Sequence, residues 1–123
     1  MDSLRIAINA NIVEFKSLGK FFSEIFPTKE VHDEPGLKII ELLPQNLLEL
    51  HGPGAFSTPF LFSESDIVIH FGIDNLDEGI RIAKRLGFTI IDELTQNEEF
   101  YFPFAYVRIR NGFVLGLYQN VKP

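Results

Sequence analysis

The stretch Asp66-Ile67-Val68-Ile69-His70-Phe71-Gly72-Ile73-Asp74-Asn75-Leu76-Asp77-Glu78-Gly79-Ile80-Arg81-Ile82-Ala83-Lys84-Arg85-Leu86-Gly87-Phe88 changes its hydrophobic period midway. From Asp66 to Ile73 it alternates. Ile67, Ile69, Phe71 and Ile73 fall on one face, and Val68, His70 and Gly72 on the other, which predicts a strand. Leu76, Ile80, Ala83 and Leu86 then recur at helical spacing, so Leu76–Leu86 reads as an amphipathic helix. Asn75 stands where an N-cap belongs, and Gly87 where a left-handed residue ends a helix. Downstream, Phe88–Asp92 reads as a strand, Glu93–Phe102 as a loop and Phe104–Arg110 as a strand. The tight turn Asn111-Gly112 leads into a last strand, Phe113–Gln119.

The same order precedes it. Leu4–Asn9 alternates as a strand, and Phe15–Phe26 carries Phe15, Leu18, Phe22 and Ile25 at helical steps up to Pro27. Lys29–His32 reads as a short edge strand, Asp33-Glu34-Pro35-Gly36 as a turn, and Leu37–Leu42 and Leu47–His51 as two further strands. Glu14 and Asn75, which precede the helices, are separated by the same 61 positions as Phe26 and Gly87, which follow them. A shared offset points to an internal repeat. The fold expected is therefore α+β: paired βαβββ modules forming a cupped mixed sheet, helices on the outer face. Module one occupies residues 1–52, a Gly/Pro-rich linker 53–65, and module two 66–123.

Composition narrows the function classes. A chain of 123 residues is one domain's worth and long enough for a core. It has no Cys, which removes disulfides, Cys-bound zinc and thiol nucleophiles. Eleven Lys and Arg against seventeen Asp and Glu leave a net charge of −6, a poor match for nucleic acid. No apolar run is long enough to span a bilayer, and Met1-Asp2-Ser3-Leu4-Arg5 lacks a secretory pattern, so neither membrane nor export is expected and the reading is cytoplasmic. Phosphate loops, a GxGxxG pattern and a nucleophile motif are all absent from the sequence.

The residues Ile69-His70-Phe71-Gly72-Ile73-Asp74-Asn75-Leu76-Asp77-Glu78-Gly79, with Leu86-Gly87-Phe88, resemble the strand, "D-D-L-D-E-A" and glycine-terminated helix of the vicinal oxygen chelate superfamily, which includes glyoxalase I, extradiol dioxygenases and bleomycin-resistance proteins. Arg110-Asn111-Gly112-Phe113-Val114-Leu115-Gly116-Leu117-Tyr118-Gln119 is similar to its closing hairpin, and Phe21-Phe22 stands where the family often has "F-Y". The resemblance covers nearly the whole chain and implies a homodimer. It also carries the family's metal-ligand positions onto Ala7, Glu49, Val68 and Gly116. Only Glu49 there has a side-chain donor, so no metal and no cofactor is expected, and metal-dependent glyoxalase or dioxygenase chemistry is disfavoured.

Strand alternation assigns the faces. Leu4, Ile6 and Ile8, Leu48 and Leu50, Ile67, Ile69 and Phe71, and Phe113, Leu115 and Leu117 are expected to face the helices. Their alternates then face the cup, and two residues beyond the four ligand positions stand Asn9, His51, His70 and Tyr118. One reading makes these ligand anchors. Another makes Glu49, His51 and His70 a shifted metal or acid/base site, since two His and a carboxylate serve either use. The plain alternative is polar strand ends wetted by water. Arg5 faces the cup and either holds a ligand carboxylate or pairs with Glu49. The direction of Arg108 depends on how many residues the Asn111-Gly112 turn uses. Phe56, Phe60, Phe62 and the run Phe100-Tyr101-Phe102-Pro103-Phe104 supply either an aromatic wall for a planar ligand, or a dimer contact or plain core. Glu98-Glu99 and Asp33-Glu34 are either loop charges or a lure for a cationic ligand.

The function expected is metal-free binding of a small organic ligand in an aromatic-lined cup, with Asn9, Glu49, His51, His70, Tyr118 and Phe102 as the ligand-binding residues. The alternative is a lyase, isomerase or other glyoxalase-like enzyme working through Glu49, His51 and His70.

Overall fold

A computed structural model describes residues 3–26, 30–54, 61–94 and 103–120. Phe56, Phe60, Phe100, Tyr101 and Phe102, and the pair Glu98-Glu99, lie outside the described residues.

The first half runs β1 (Ser3–Asn9), a single 3-10 turn (Ala10–Ile12), α1 (Phe15–Ile25), β2 (Glu30–Glu34), β3 (Leu37–Leu43) and β4 (Asn46–His51). The second runs β5 (Ile67–Ile73), α2 (Leu76–Arg85), β6 (Thr89–Leu94), β7 (Phe104–Arg110) and β8 (Phe113–Gln119). All eight strands form one mixed sheet in the order β2-β3-β4-β1-β5-β8-β7-β6. In each half the chain leaves the first strand, crosses through a helix to the sheet edge, and returns by hairpins until the last strand lies parallel to the first. β1 pairs with β4 and β5 with β8 in this way, while β1 and β5 join the halves antiparallel.

Local chemistry explains the boundaries. Asn75 caps α2, its side chain accepting a hydrogen bond from Glu78 N at 3.0 Å, and Gly87 takes φ +86° directly after Leu86. β2 continues through Asp33 and Glu34, and the turn is only Pro35-Gly36, with Gly36 at φ +87°. All five β2 residues are exposed and three are acidic, which protects an edge strand from pairing with other chains. β6 likewise runs to Leu94, past the expected end at Asp92.

Both helices lie on one face. Ile6 and Ile8 of β1 pack with α1 residues Phe15, Leu18 and Phe22 over Ile40, Leu48 and Leu50. Ile6 lies opposite Ile69, and Ile73, on the same side of β5, packs with Leu76 and Ile80 of α2. Ile67, Ile69 and Phe113 face the helix side as expected, but neither helix covers them fully. They sit between α1 and α2, and are 55%, 36% and 45% exposed. Each helix packs on the strands of its own half, which leaves Ile67, Ile69 and Phe113 partly uncovered.

The opposite face is not bare either. Ala7, Val68, Val114, Tyr118, Phe104 and Tyr106 form a buried cluster there with Leu61, and Phe62 and Ile91 pack against it. Leu61-Phe62 therefore cover the face that alternation assigned to a cup. Among the described residues no helix is long and apolar enough to cross a membrane.

Candidate functional site

The strand register lays the helix-free face out in rows. Leu47, Arg5, His70, Gly116 and Tyr106 lie side by side across β4, β1, β5, β8 and β7. Glu49, Ala7 and Val68 form the next row, and His51 and Asn9 the one beyond. On the other side lie Ser3, Gly72, Tyr118 and Phe104.

This layout separates the four residues that the sequence grouped. Stepping two residues forward runs one way on β1 and β4 and the opposite way on antiparallel β5 and β8. Asn9 and His51 consequently lie towards one end of the face, His70 and Tyr118 towards the other. The side chain of Asn9 is engaged in the turn: Oδ1 accepts from Asn11 N at 3.1 Å, and Nδ2 donates to Asp66 Oδ1 at 3.0 Å. It serves the end of β1 rather than a shared centre.

Glu49 is the hub. Its Oε1 lies 3.1 Å from His51 Nε2, and its Oε2 3.5 Å from Arg5 Nη1. Burial pushes the carboxyl up. The hydrogen bond from His51, with the positive charge of Arg5, outweighs it and leaves the group below its ordinary value. Glu49 is therefore a carboxylate at neutral pH, and His51 donates Nε2–H to it. The His51 ring meets Phe62 edge-on at 5.5 Å, so the covering segment touches the polar cluster directly.

His70 is held differently. Its Nδ1 lies 3.3 Å from the backbone oxygen of Arg5, which can only accept. The ring lies over Gly116, where a β-carbon would come within 2.2 Å of His70 Cδ2. Tyr106 packs edge-on against it at 5.7 Å. Burial pushes the imidazole pKa down, only partly offset by Glu49.

Arg5 also lies 5.3 Å from the centre of the Tyr118 ring, a cation–π arrangement, while the Tyr118 hydroxyl hydrogen-bonds Ser3 Oγ. Of the two roles open to Arg5, pairing with Glu49 is the one seen. Arg108 lies opposite Val114 and faces the same side, because the ladder shifts by a residue between Arg108 and Arg110. It ion-pairs with Glu64, which precedes β5. Tyr106 was not singled out from sequence, although Phe104, Tyr106 and Arg108 alternate with Ala105, Val107 and Ile109. The undetermined turn length hid which set faced inward.

The metal positions do not fit a metal. Ala7 and Val68 carry no donor, the His70 ring fills the space over Gly116, and Glu49 is bound to His51 and Arg5. Among the described residues no three His, Asp or Glu side chains are grouped to hold an ion, so Glu49, His51 and His70 do not converge as a ligand set. A separate cleft of about 1260 Å³ lies between α1 and the β2–β3 edge, lined by Lys16, Lys20 and Lys38 against Glu14, Glu30 and Glu34. Of the residues singled out from sequence, Asp33 and Glu34 line it, on β2 rather than in a loop, while Asn9, Glu49, His51, His70 and Tyr118 do not.

No family model and no curated protein matches the sequence. Solved structures do match in shape. A glyoxalase/bleomycin resistance/dioxygenase superfamily member from Vibrio splendidus superposes with TM-score 0.64 at 8% identity, over 96% of this chain and 97% of that one. An NAD-dependent benzaldehyde dehydrogenase from Legionella pneumophila gives 0.67 at 12% identity, covering 96% and 99%. Methylmalonyl-CoA epimerase from Streptomyces coelicolor, in complex with 2-nitronate-propionyl-CoA, gives 0.60 at 13%, covering 99% and 97%. With its two βαβββ units joined through β1 and β5 in one eight-stranded sheet, the chain has the fold of the vicinal oxygen chelate superfamily.

Proposed function

We propose that this chain is a small-molecule binding protein that works without a metal, its organic ligand lying against the helix-free face of the sheet. The observation that carries this reading is the cluster of Arg5, Glu49, His51 and His70 set within an otherwise aromatic and aliphatic surface. A buried carboxylate and imidazoles cost more to bury than the apolar side chains that would pack the same face. A few oriented polar groups among aromatic rings are the usual make-up of a ligand site. Phe62, Tyr106 and Tyr118 supply the rings, and Phe102 is proposed as a ligand contact from the sequence alone. The fold itself accommodates such ligands, as the acyl-CoA analogue held by the Streptomyces coelicolor protein illustrates.

In this reading the protein works as a homodimer, for which the exposed apolar seam of Ile67, Ile69 and Phe113 offers contact area. Sedimentation at micromolar concentration tests that part, with a monomer as the contrary result. The binding claim is tested by thermal-shift screening of small aromatic and acyl compounds with and without EDTA. Saturable stabilisation that survives the chelator is expected; binding that requires a divalent ion would overturn it.

A second reading, a metal-independent acid/base enzyme, is favoured by one feature, the Glu49 carboxylate bonded to His51 Nε2. That arrangement orients an imidazole as catalytic dyads do. Turnover of a bound compound, abolished by His51→Gln with binding intact, would select it.

A further inference from the structure

We propose that His70 sets the ligand's chemistry: its Nε2 is a bare hydrogen-bond acceptor on the helix-free face, and the compound that binds there presents a neutral O–H or N–H to it. The proposal rests on the binding reading above and adds what that reading leaves open, the polarity of the ligand's contact group.

The tautomer follows from a backbone contact. The Arg5 carbonyl oxygen accepts, so His70 Nδ1 carries the proton, and a neutral imidazole then has its lone pair on Nε2. Burial and the nearby Arg5 charge both disfavour the doubly protonated ring. Nε2 has no hydrogen-bond partner among the described residues. No fully buried side-chain nitrogen or oxygen in the described structure lacks a partner, so this atom reaches solvent. The ring cannot turn away easily, because it lies in the space that a side chain at position 116 would take and meets Tyr106 edge-on. Gly116 is thus what a fixed acceptor at this place requires, and its lack of a metal-binding side chain becomes a positive feature of the site.

The surroundings choose among donors. An anion would face the Nε2 lone pair and the Glu49 carboxylate, both repulsive. A cation would gain from Glu49 but lose to Arg5 and, above all, to the burial that disfavours charge at this ring. A neutral hydroxyl or N–H meets neither penalty.

The test uses the whole protein and two probes, phenol and anisole, which differ by one methyl group on the oxygen. Long-range ¹H–¹⁵N correlation spectra of the histidine side chains at neutral pH are expected to place the His70 proton on Nδ1. A proton on Nε2, or a cationic ring, would overturn the proposal without any ligand. Phenol is expected to move the His70 Nε2 signal and to bind roughly 3- to 10-fold more tightly than anisole, the preference one neutral hydrogen bond confers. In His70→Phe the preference should vanish. Equal binding of the two probes overturns the assignment of His70 while leaving the face as a binding site. If neither probe moves signals from Arg5, His51, His70 or Tyr118, the binding reading fails and the proposal with it.

Discussion

Glu49 and His51 stand two residues apart on β4, and their side chains meet at 3.1 Å on the same face of the sheet. Alternation along a strand dictates the shared face, and burial makes the contact consequential. Because His51 and Arg5 outweigh burial, Glu49 ionises more readily in the folded chain than in the unfolded one. Below the ordinary value of 4.5 the unfolded chain holds more protons. The stabilisation from the carboxylate is full above that pH and is lost as pH falls through the folded value. Glu49→Gln should therefore narrow its stability gap to the parent as the pH of denaturant titrations drops below about 4.5. Near neutrality Glu49→Ala should cost about 1–3 kcal/mol, since it strands the His51 donor.

His70 acts in a higher window. Burial lowers its pKa from 6.5, so the unfolded chain takes up a proton there before the folded one does. Stability attributable to His70 should decline as pH falls below about 6.5 and level off once the folded ring protonates. His70→Gln should remove that decline and leave the lower Glu49 step in place. Unfolding midpoints measured from pH 8 down to about pH 3 resolve the two.

Gly116→Ala should destabilise by about 1–3 kcal/mol, because its methyl group would meet the His70 ring. The cost belongs to the pair. In a double-mutant cycle with His70→Ala, the same substitution should lose most of its effect. Additive penalties would contradict the packing described here.

Leu61 is 5% exposed and belongs to the buried cluster on the helix-free face, so truncation to Ala should cost about 2–5 kcal/mol. The outcome bears on function as well. A cost below about 0.5 kcal/mol, the range of ordinary surface changes, would mean the segment lies loosely on the face.

Much of this was legible in the sequence because period reports element type. The switch from alternation at Ile73 to helical spacing at Leu76, and its echo from Asn9 to Phe15, specify two βαβββ units without reference to contacts. The faces are legible too: His51, Glu49, His70 and Tyr118 all point away from the helices. What alternation does not encode is strand direction across the seam. The antiparallel β1–β5 pairing sends Asn9 and Tyr118 to opposite ends, so four matching offsets do not make one centre. Nor does it encode coverage. Ile67 and Ile69 look like core residues by pattern and are left partly uncovered, while Leu61, in a stretch that reads as linker, is buried. Arg108 turned on a one-residue shift next to Asn111-Gly112, where a turn signal gives location but not length.

The most direct test of the account is where small molecules bind. Backbone and histidine side-chain NMR spectra, recorded during titration with a set of small aromatic and acyl compounds in the presence of EDTA, would locate every contact. Saturable shifts are expected on Arg5, Glu49, His51, His70, Tyr106 and Tyr118. Shifts confined to the cleft beside α1 or to the seam around Ile67 and Phe113, with this cluster unmoved, would contradict the proposed binding site.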